Sequence, residues 1–180
     1  IMPMALRGKI IFGTAGAEYG VRGWIAAINA DTGEPVWKTY TIPGPGEPGN
    51  DTWPGESWKY GGGSAWITGS YDPDLDLVYW GTGNPAPWNP LNRKGDNLYT
   101  NSVLAFQPKT GKVVWHFQMT PGDPFDYDGV NEWILADLPV DGGTRKVVMH
   151  ADRNGYLYVI ERATGKLVAA NAFVLSLIHI

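Results

Sequence analysis

Short runs of alternating apolar and polar residues recur along the chain, and tight-turn sequences separate them. Residues 27–37 have the order Ala-Ile-Asn-Ala-Asp-Thr-Gly-Glu-Pro-Val-Trp, and residues 105–115 repeat this pattern of apolar run, Thr-Gly turn and second apolar run ending in Trp. Residues 159–169 form a third copy without the Trp, and residues 69–79 form a degenerate fourth. Alternation with a period of two predicts strands, and the turn residues predict hairpins.

Repetition of one hairpin at intervals of a few tens of residues is typical of propellers and solenoids. No long stretch has the period of an amphipathic helix, so we expect an all-β chain whose hairpins build an antiparallel propeller. Each Trp is expected to lie flat against the neighbouring sheet. Unrelated hairpins that share only turn chemistry are the alternative.

The four units predict about four blades within one domain over residues 1–173. Closed propellers need more blades and open arrays leave unpaired edges, so we expect a fragment of a larger ring. Residues 174–180 are apolar, lack turn residues and are too short to span a bilayer. Two interpretations of them stay open: a buried strand, or a non-native or truncated tail.

Composition excludes several classes of function. Fourteen Lys and Arg against 18 Asp and Glu give a net charge of −4 without a basic stripe, which argues against nucleic-acid binding. There are no cysteines, so no disulfide or thiolate metal site can form within these residues, and the three histidines lack zinc-type spacing. No segment predicts a membrane span or a signal peptide.

The densest chemistry lies at residues 124–131, Pro-Phe-Asp-Tyr-Asp-Gly-Val-Asn, directly after Asp123. In strand geometry Asp126 and Asp128 would point to the same side and reach one centre. Two further oxygen donors stand in turn-like segments. Glu18 lies in a glycine-rich loop, where a surface acid is the alternative, and Asn84 precedes a proline, where an Asx turn is the alternative.

A donor set of carboxylates and an amide favours a hard cation over zinc or copper. Three carboxylates in one pocket would repel each other without a cation, and a trivalent ion would balance them better than a divalent one. One carboxylate could in addition take a proton from a substrate hydroxyl.

Two more residues suit a planar, anionic cofactor that carries carbonyl groups. Trp66 follows three glycines and could stack on its face, although a core Trp is the alternative. Arg153 precedes Asn154-Gly155, a strong signal for a type I′ hairpin turn, and could hydrogen-bond the cofactor oxygens. A surface pair between Asp152 and Arg153 is the alternative.

Taken together, these segments resemble the pyrroloquinoline-quinone (PQQ)-dependent alcohol dehydrogenases, in particular the methanol dehydrogenase type. The resemblance extends from about residue 9 to about residue 173 and rests on four motifs in the family's order: Gly-Ala-Glu-Tyr-Gly-Val-Arg-Gly at 16–23, Gly-Thr-Gly-Asn-Pro-Ala-Pro-Trp-Asn at 81–89, Asp-Tyr-Asp-Gly-Val-Asn at 126–131 and Asp-Arg-Asn-Gly at 152–155. The family fold is an eight-bladed β-propeller with tryptophan-docking motifs.

The resemblance implies a role for each matched residue. The metal ligands would be Glu18, Asn84, Asp126 and Asp128. Asp126 would also be the catalytic base, and Arg153 would bond the reactive carbonyl of the cofactor. Further contacts to PQQ would come from Trp66 beneath the quinone, from Ser64, where the family usually has Thr, and from the backbone N–H groups of Gly16 and Ala17. The acid at 128 resembles the lanthanide-dependent branch, whereas the calcium branch has Ala or Ser there.

The implied reaction is oxidation of a primary alcohol, such as methanol, to an aldehyde, with a c-type cytochrome as electron acceptor. The resemblance also implies a periplasmic location and allows a homodimer of the full-length protein. Ala15 stands where relatives usually have Ser, and the adjacent-cysteine disulfide of the family would lie outside these residues, so the fragment alone is expected to be inactive. A non-catalytic propeller scaffold and a calcium-dependent sibling are the alternatives.

Overall fold

A computed structural model describes residues 1–140 and 142–174, which form three antiparallel four-stranded sheets. We number these sheets as blades 1 to 3. Blade 1 contains β1 (Met4–Leu6), β2 (Lys9–Gly13), β3 (Trp24–Asn29) and β4 (Pro35–Tyr40); blade 2 contains β5 (Ser70–Asp72), β6 (Leu77–Gly81), β7 (Ser102–Phe106) and β8 (Val113–Gln118); blade 3 contains β9 (Ile134–Val140), β10 (Gly143–Ala151), β11 (Tyr156–Glu161) and β12 (Leu167–Ala172).

In every blade the strands pair in chain order. The only helices in the described residues are 3₁₀ turns, at Ala17–Tyr19, Asn50–Thr52, Ser57–Tyr60 and Pro90–Asn92. None of them is long and apolar enough to cross a membrane. The prediction of an all-β propeller arrangement is therefore confirmed.

The number of blades differs from the prediction of about four. The hairpins at 69–79 and 105–115 belong to one sheet, because β6 pairs with β7 and Val78 lies opposite Phe106. Four hairpin units therefore make three blades. Of the predicted tail at 174–180, residues 175–180 lie outside the described part of the chain.

The hydrophobic cores lie between the blades. Blade 1 contributes Ile11, Ile25 and Ala27 to one buried cluster, and blade 2 completes that cluster with Val78, Trp80, Leu104 and Phe106. A second cluster joins Tyr79, Val103 and Trp115 of blade 2 to Val148, Tyr158 and Ile160 of blade 3. Both faces of blade 2 are buried, which explains why β6 and β7 are uniformly buried rather than alternating.

A tryptophan docks each blade on the next, as predicted from the repeats. The Trp37 ring lies over Gly111 of blade 2, and its Nε1 donates to the Pro108 carbonyl at 3.0 Å. The Trp115 ring lies over Gly165 of blade 3, where an added Cβ would come within 2.6 Å of a ring carbon. Its Nε1 donates to the Arg162 carbonyl, also at 3.0 Å. Glycine is required at both turns because the indole occupies the space of a side chain.

This geometry predicts that Trp115→Ala in the full-length protein lowers the free energy of unfolding by about 3–5 kcal/mol, because it empties a buried contact between two blades. Val114→Ala is the matched control. Val114 is the adjacent residue of β8 and is 48% exposed, so its truncation should change stability by less than about 0.5 kcal/mol. Denaturant unfolding monitored by circular dichroism measures both variants. Equal stability of the two would contradict the docking role of Trp115.

Candidate cofactor and metal site

The segment carrying the two central acids is a loop between β8 and β9, not a strand. Asp126 and Asp128 both adopt left-handed backbone conformations, with φ of 60° and 54°. The prediction that strand alternation brings them to one side is therefore wrong. Asp residues tolerate this conformation better than most others, and two left-handed turns one residue apart bend the loop sharply around Tyr127.

Asp123 holds this loop from beneath. Its buried carboxylate accepts hydrogen bonds from the backbone N–H groups of Phe125 and Tyr127, both at 2.8 Å, and from Asn101 Nδ2 at 2.6 Å. These bonds use both oxygens, so Asp123 is an organiser of the loop rather than a metal ligand.

A buried arginine fixes the base of the same loop. Arg93 is 1% exposed, and its guanidinium donates to the Asp123 carbonyl at 2.6 Å and to the Gly122 carbonyl at 3.3 Å. It also bonds the carbonyls of Pro87 and Trp88, which follow the predicted ligand Asn84. Arg93 thus links the loop after β6 to the acidic loop, while burial lowers its pKa.

Asp128 lies against the loop that follows β6. Its Oδ1 accepts from the backbone N–H of Asn84 at 3.3 Å, and a Cβ added to Gly83 would overlap this oxygen. The same Cβ would be 3.1 Å from Ser64 Oγ, so Ser64, Gly83 and Asp128 are close neighbours. Ser64 and Asn84 are buried. The Asx-turn alternative for Asn84 is excluded, because the Ala86 N–H donates to the Gly61 carbonyl instead.

Glu18 reaches the site from blade 1. It lies in the 3₁₀ turn Ala17–Tyr19, which begins at Gly16 with a φ of 84°. Within the described residues the backbone N–H groups of Gly16 and Ala17 donate to no protein acceptor. The Glu18 side chain is exposed and lines a cavity of about 300 Å³ with Ala86, Pro87 and Trp88.

Arg153 reaches the site from the turn between β10 and β11. That turn spans residues 152–155, and only Gly155 has a positive φ, so it is not the predicted type I′ turn. The Arg153 side chain is exposed, and within the described residues it makes no ion pair. Asp152 is buried and bonds His150, which excludes a surface pair between Asp152 and Arg153.

Trp66 is 36% exposed, so it is not the core tryptophan of the alternative interpretation. A separate cavity of about 260 Å³ lies beside Asp126. Its walls are Asn84, Pro85, Trp88, Arg93, Asp123, Pro124, Phe125 and Asp126.

Electrostatics connect the charged residues of the site. Burial is the main cause that raises the pKa of Asp128 to about 6. The charges of Asp126 and Glu18 act in the same direction, while the hydrogen bond from the Asn84 N–H and the charge of Arg153 oppose them. Burial and the Glu18 charge raise the pKa of Asp126, again opposed by Arg153. Glu18, Asp126, Asp128 and Arg153 therefore act on one another, although they come from three different parts of the chain.

The donor set fits a hard cation in chemistry and in charge. Glu18, Asn84, Asp126 and Asp128 offer oxygen atoms only, and the two raised pKa values show that the acids disfavour ionisation together without a counter-charge. Among residues 1–140 and 142–174, no three His, Asp or Glu side chains lie close enough together to hold a metal ion. A bound cation would have to draw the carboxylates closer.

Three residues that organise the site were not assigned by sequence reasoning. The Asp123 carboxylate accepts hydrogen bonds from N–H groups two and four residues later, as in Asx-type turns. An Asp at the start of a loop is a known signal for such a turn and could have revealed its role. Arg93 stands among polar surface-like residues, and nothing in the sequence marks it as buried. Gly83 has no left-handed φ in the structure, so its importance comes from the space that the Asp128 carboxylate and, to a lesser degree, Ser64 occupy beside it.

Residues 2–170 match the family model described as PQQ, glucose/ethanol/alcohol dehydrogenase, β-propeller domain. The chain therefore belongs to the PQQ-dependent alcohol dehydrogenase family, as the four motifs predicted.

Individual relatives include both quinohemoprotein and lanthanide-dependent enzymes. The chain is 48% identical to quinohemoprotein alcohol dehydrogenase ADH IIB of Pseudomonas putida, over 95% of this chain and 27% of that protein. It is 46% identical to a lanthanide-dependent methanol dehydrogenase of Methylacidiphilum fumariolicum strain SolV, over 96% of this chain and 31% of that protein. A europium-containing methanol dehydrogenase structure superposes with a TM-score of 0.90 at 45% identity, covering 96% of this chain and 33% of that chain. The chain thus spans about a third or less of these proteins.

The raised pKa of Asp128 generates a prediction for the metal-free protein. An acid whose pKa is about 6 in the folded state and 3.8 in the unfolded state favours folding in its protonated form. Its contribution to the free energy of unfolding is fully present below pH 3.8 and is lost as the pH rises through 6. Asp128→Asn keeps an oxygen for the Asn84 N–H. It should therefore raise the free energy of unfolding by about 2 kcal/mol at pH 8 and leave it unchanged at pH 4.

Thermal unfolding of the chelator-treated full-length protein across this pH range tests the prediction. Asp31→Asn, in an exposed turn of blade 1, is the control and should have no effect at either pH. Destabilisation by Asp128→Asn at pH 8 without metal would show that Asp128 is not held in an unfavourable charged state.

Proposed function

We propose that the full-length protein containing this chain is a PQQ-dependent alcohol dehydrogenase of the methanol dehydrogenase type, which oxidises methanol or other short primary alcohols to aldehydes. The observation that carries this proposal is the convergence of Glu18, Asp126, Asp128 and Arg153 on one electrostatic site next to Asn84. A propeller that served only as a scaffold would have no need for several partly buried acids with raised pKa values near one exposed arginine.

Asp126 is the proposed general base. Its pKa is raised by burial, which makes it a better proton acceptor than an ordinary aspartate. It lines the 260 Å³ cavity, whose apolar walls Pro85, Trp88 and Phe125 suit the carbon chain of a small alcohol. A hydroxyl bound there would give its proton to Asp126 while hydride leaves the adjacent carbon.

PQQ, when bound, supplies the carbonyl that accepts the hydride, and the metal supplies Lewis-acid polarisation of that carbonyl. Arg153 would donate hydrogen bonds to the cofactor oxygens, because its guanidinium is exposed and makes no ion pair within the described residues. Trp66 offers a partly exposed indole face for stacking, and Ser64 a hydroxyl beside it in sequence. The N–H groups of Gly16 and Ala17, which have no protein acceptor in the described part of the chain, suit the cofactor carboxylates.

A lanthanide ion is the proposed metal, with Ca²⁺ as the alternative. Glu18, Asp126 and Asp128 together carry three negative charges when ionised, which a trivalent ion would balance. The lanthanide-dependent methanol dehydrogenase and the europium-containing methanol dehydrogenase among the relatives named above support this choice.

The remaining features of the proposal concern the whole protein. We infer a c-type cytochrome as electron acceptor, a periplasmic location and a homodimer, and we expect these residues alone to be inactive. Each of these inferences rests on the family resemblance.

The role of Asp126 predicts that Asp126→Asn lowers kcat by at least about 10²-fold, because the amide cannot accept the hydroxyl proton. The substitution is isosteric, so the PQQ-loaded full-length protein should remain folded. Steady-state oxidation of methanol and ethanol with an artificial electron acceptor measures the effect. Asp31→Asn serves again as the exposed control, and wild-type kcat in Asp126→Asn would remove Asp126 from the mechanism.

The role of Asp128 predicts a change in metal preference. Asp128→Ala removes one negative ligand, so activity with La³⁺ should fall on the order of tenfold relative to activity with Ca²⁺. Reconstitution of the metal-free full-length protein with PQQ and either ion gives this ratio. Asp51→Ala, an exposed acid outside the site, should leave the ratio unchanged. Higher wild-type activity with Ca²⁺ than with La³⁺ would instead favour the calcium-dependent alternative.

A further inference from the structure

Beneath the site lies a buried histidine–aspartate pair that the proposed mechanism does not use. His150 and Asp152 are each 1% exposed, and His150 Nε2 lies 3.1 Å from Asp152 Oδ2. The other ring nitrogen, Nδ1, lies 3.2 Å from the Glu132 carbonyl oxygen. The imidazole also stacks on the Trp133 indole, with the ring centroids 4.0 Å apart and the planes 13° from parallel.

The hydrogen-bond partners fix how many protons the pair holds. A carbonyl oxygen can only accept, so Nδ1 must be protonated and donate to Glu132. The 3.1 Å contact between Nε2 and the carboxylate then needs one more proton, carried by either atom. In both arrangements the pair is neutral overall and has both of its polar contacts satisfied, which is the condition under which a buried ionisable pair is tolerated.

Asp152 connects the pair to the turn that carries Arg153. Its Oδ1 accepts from the Asn154 N–H at 2.9 Å, and its own backbone N–H donates to the Tyr156 carbonyl at 2.9 Å. Arg153 lies between these anchored residues, so the direction of its backbone is set by the Asp152 side chain.

The same pair contacts the acidic loop at two points. Glu132, whose carbonyl accepts from His150, is four residues beyond Asp128. Gly129 directly follows Asp128 and packs on Asp152, since a Cβ added to Gly129 would be 2.7 Å from Asp152 Oδ2. The pair is therefore a bridge between the loop with Asp126 and Asp128 and the turn with Arg153.

We propose that His150 is a positioning residue of the alcohol dehydrogenase, which holds the guanidinium of Arg153 at a fixed separation from the carboxylates of Asp126 and Asp128. This inference rests on the proposed function for its catalytic consequence. The coupling of the two loops, in contrast, follows from the contacts of His150 and Asp152 and can be measured without turnover.

The test compares three variants of the full-length protein. His150→Phe keeps a planar ring on Trp133 but removes both polar contacts. His150→Gln retains a side-chain donor that can reach Asp152. Arg162→Met is the matched control, because it breaks another buried ion pair, with Asp72 at 3.2 Å, at the far end of β11 from the Arg153 turn.

Hydrogen–deuterium exchange measures the loop coupling. We expect His150→Phe to speed exchange in peptides covering 126–133 and 152–155, and Arg162→Met to leave these peptides unchanged while lowering the thermal midpoint. Unchanged exchange in both peptides of His150→Phe, or an equal increase in Arg162→Met, overturns the bridge. His150→Gln gives the same comparison if the Phe variant does not fold, with a smaller increase expected at 152–155.

Kinetics of the protein reconstituted with PQQ and La³⁺ measure the catalytic consequence. We expect His150→Phe to lower kcat by about 10–100-fold, as is typical when a group that orients a site residue is lost. His150→Gln should recover part of this loss, and Arg162→Met should keep the wild-type kcat. A His150→Phe kcat within about twofold of wild type overturns the positioning role. A wild-type protein inactive on alcohols overturns the proposed function instead, while the exchange data still decide whether the loops are coupled.

Discussion

The stacking of an indole on a glycine turn is the contact on which this architecture depends. Trp37 and Trp115 make this same joint, an indole ring packed on a turn glycine, at two successive blade interfaces. In each case the indole Nε1 donates a hydrogen bond to a backbone carbonyl. The joint sets the position of one sheet relative to the next, and the hydrophobic clusters between the sheets fill the remaining space. The candidate site takes residues from all three blades. Its geometry therefore depends on the tryptophan contacts that fix one blade relative to the next.

Within that frame, the site combines rigid supports with charges that are unfavourable in the absence of a ligand. Asp123 and Arg93 satisfy the backbone of the acidic loop and hold it in an unusual left-handed path. Burial is the main cause that raises the pKa values of Asp126 and Asp128, and the charge of Glu18 adds to both. The charge of Asp126 also raises the pKa of Asp128. The hydrogen bonds of Asp123 and Arg93 therefore hold the two acids in positions that they would leave in a more flexible loop. Acids with perturbed pKa values of this kind are enriched at functional sites.

Sequence reasoning predicted the repeated units and the tryptophan contacts between them, because each leaves a local trace: a turn, an alternating run or a compact motif. The candidate site residues also come from compact motifs, and their roles stay predictions. It failed where the answer depends on distant neighbours. The degenerate hairpin at 69–79 could not be assigned to the same sheet as 105–115, since pairing between β6 and β7 spans a long loop. The left-handed φ of Asp126 and Asp128 depends on the bonds that Asp123 makes, and the burial of Arg93 depends on carbonyls up to thirty residues away. The prediction of a type I′ turn was wrong because Asp152 anchors a longer turn from its side chain.

Gly83 has a consequence for how such sequences can diverge. Its φ is not left-handed, so the requirement for glycine is one of volume: any side chain would occupy the place of the Asp128 carboxylate. The acid at 128 is therefore the main constraint on position 83, and Ser64 Oγ, 3.1 Å from the added Cβ, is a second and weaker one. In a lineage where 128 becomes small the main constraint is removed, and a change from Gly to another small residue at 83 should appear together with the change at 128. If Asp128 is the ligand that selects the metal, as proposed above, such paired changes would record a switch in metal chemistry even in sequences whose metal has never been measured.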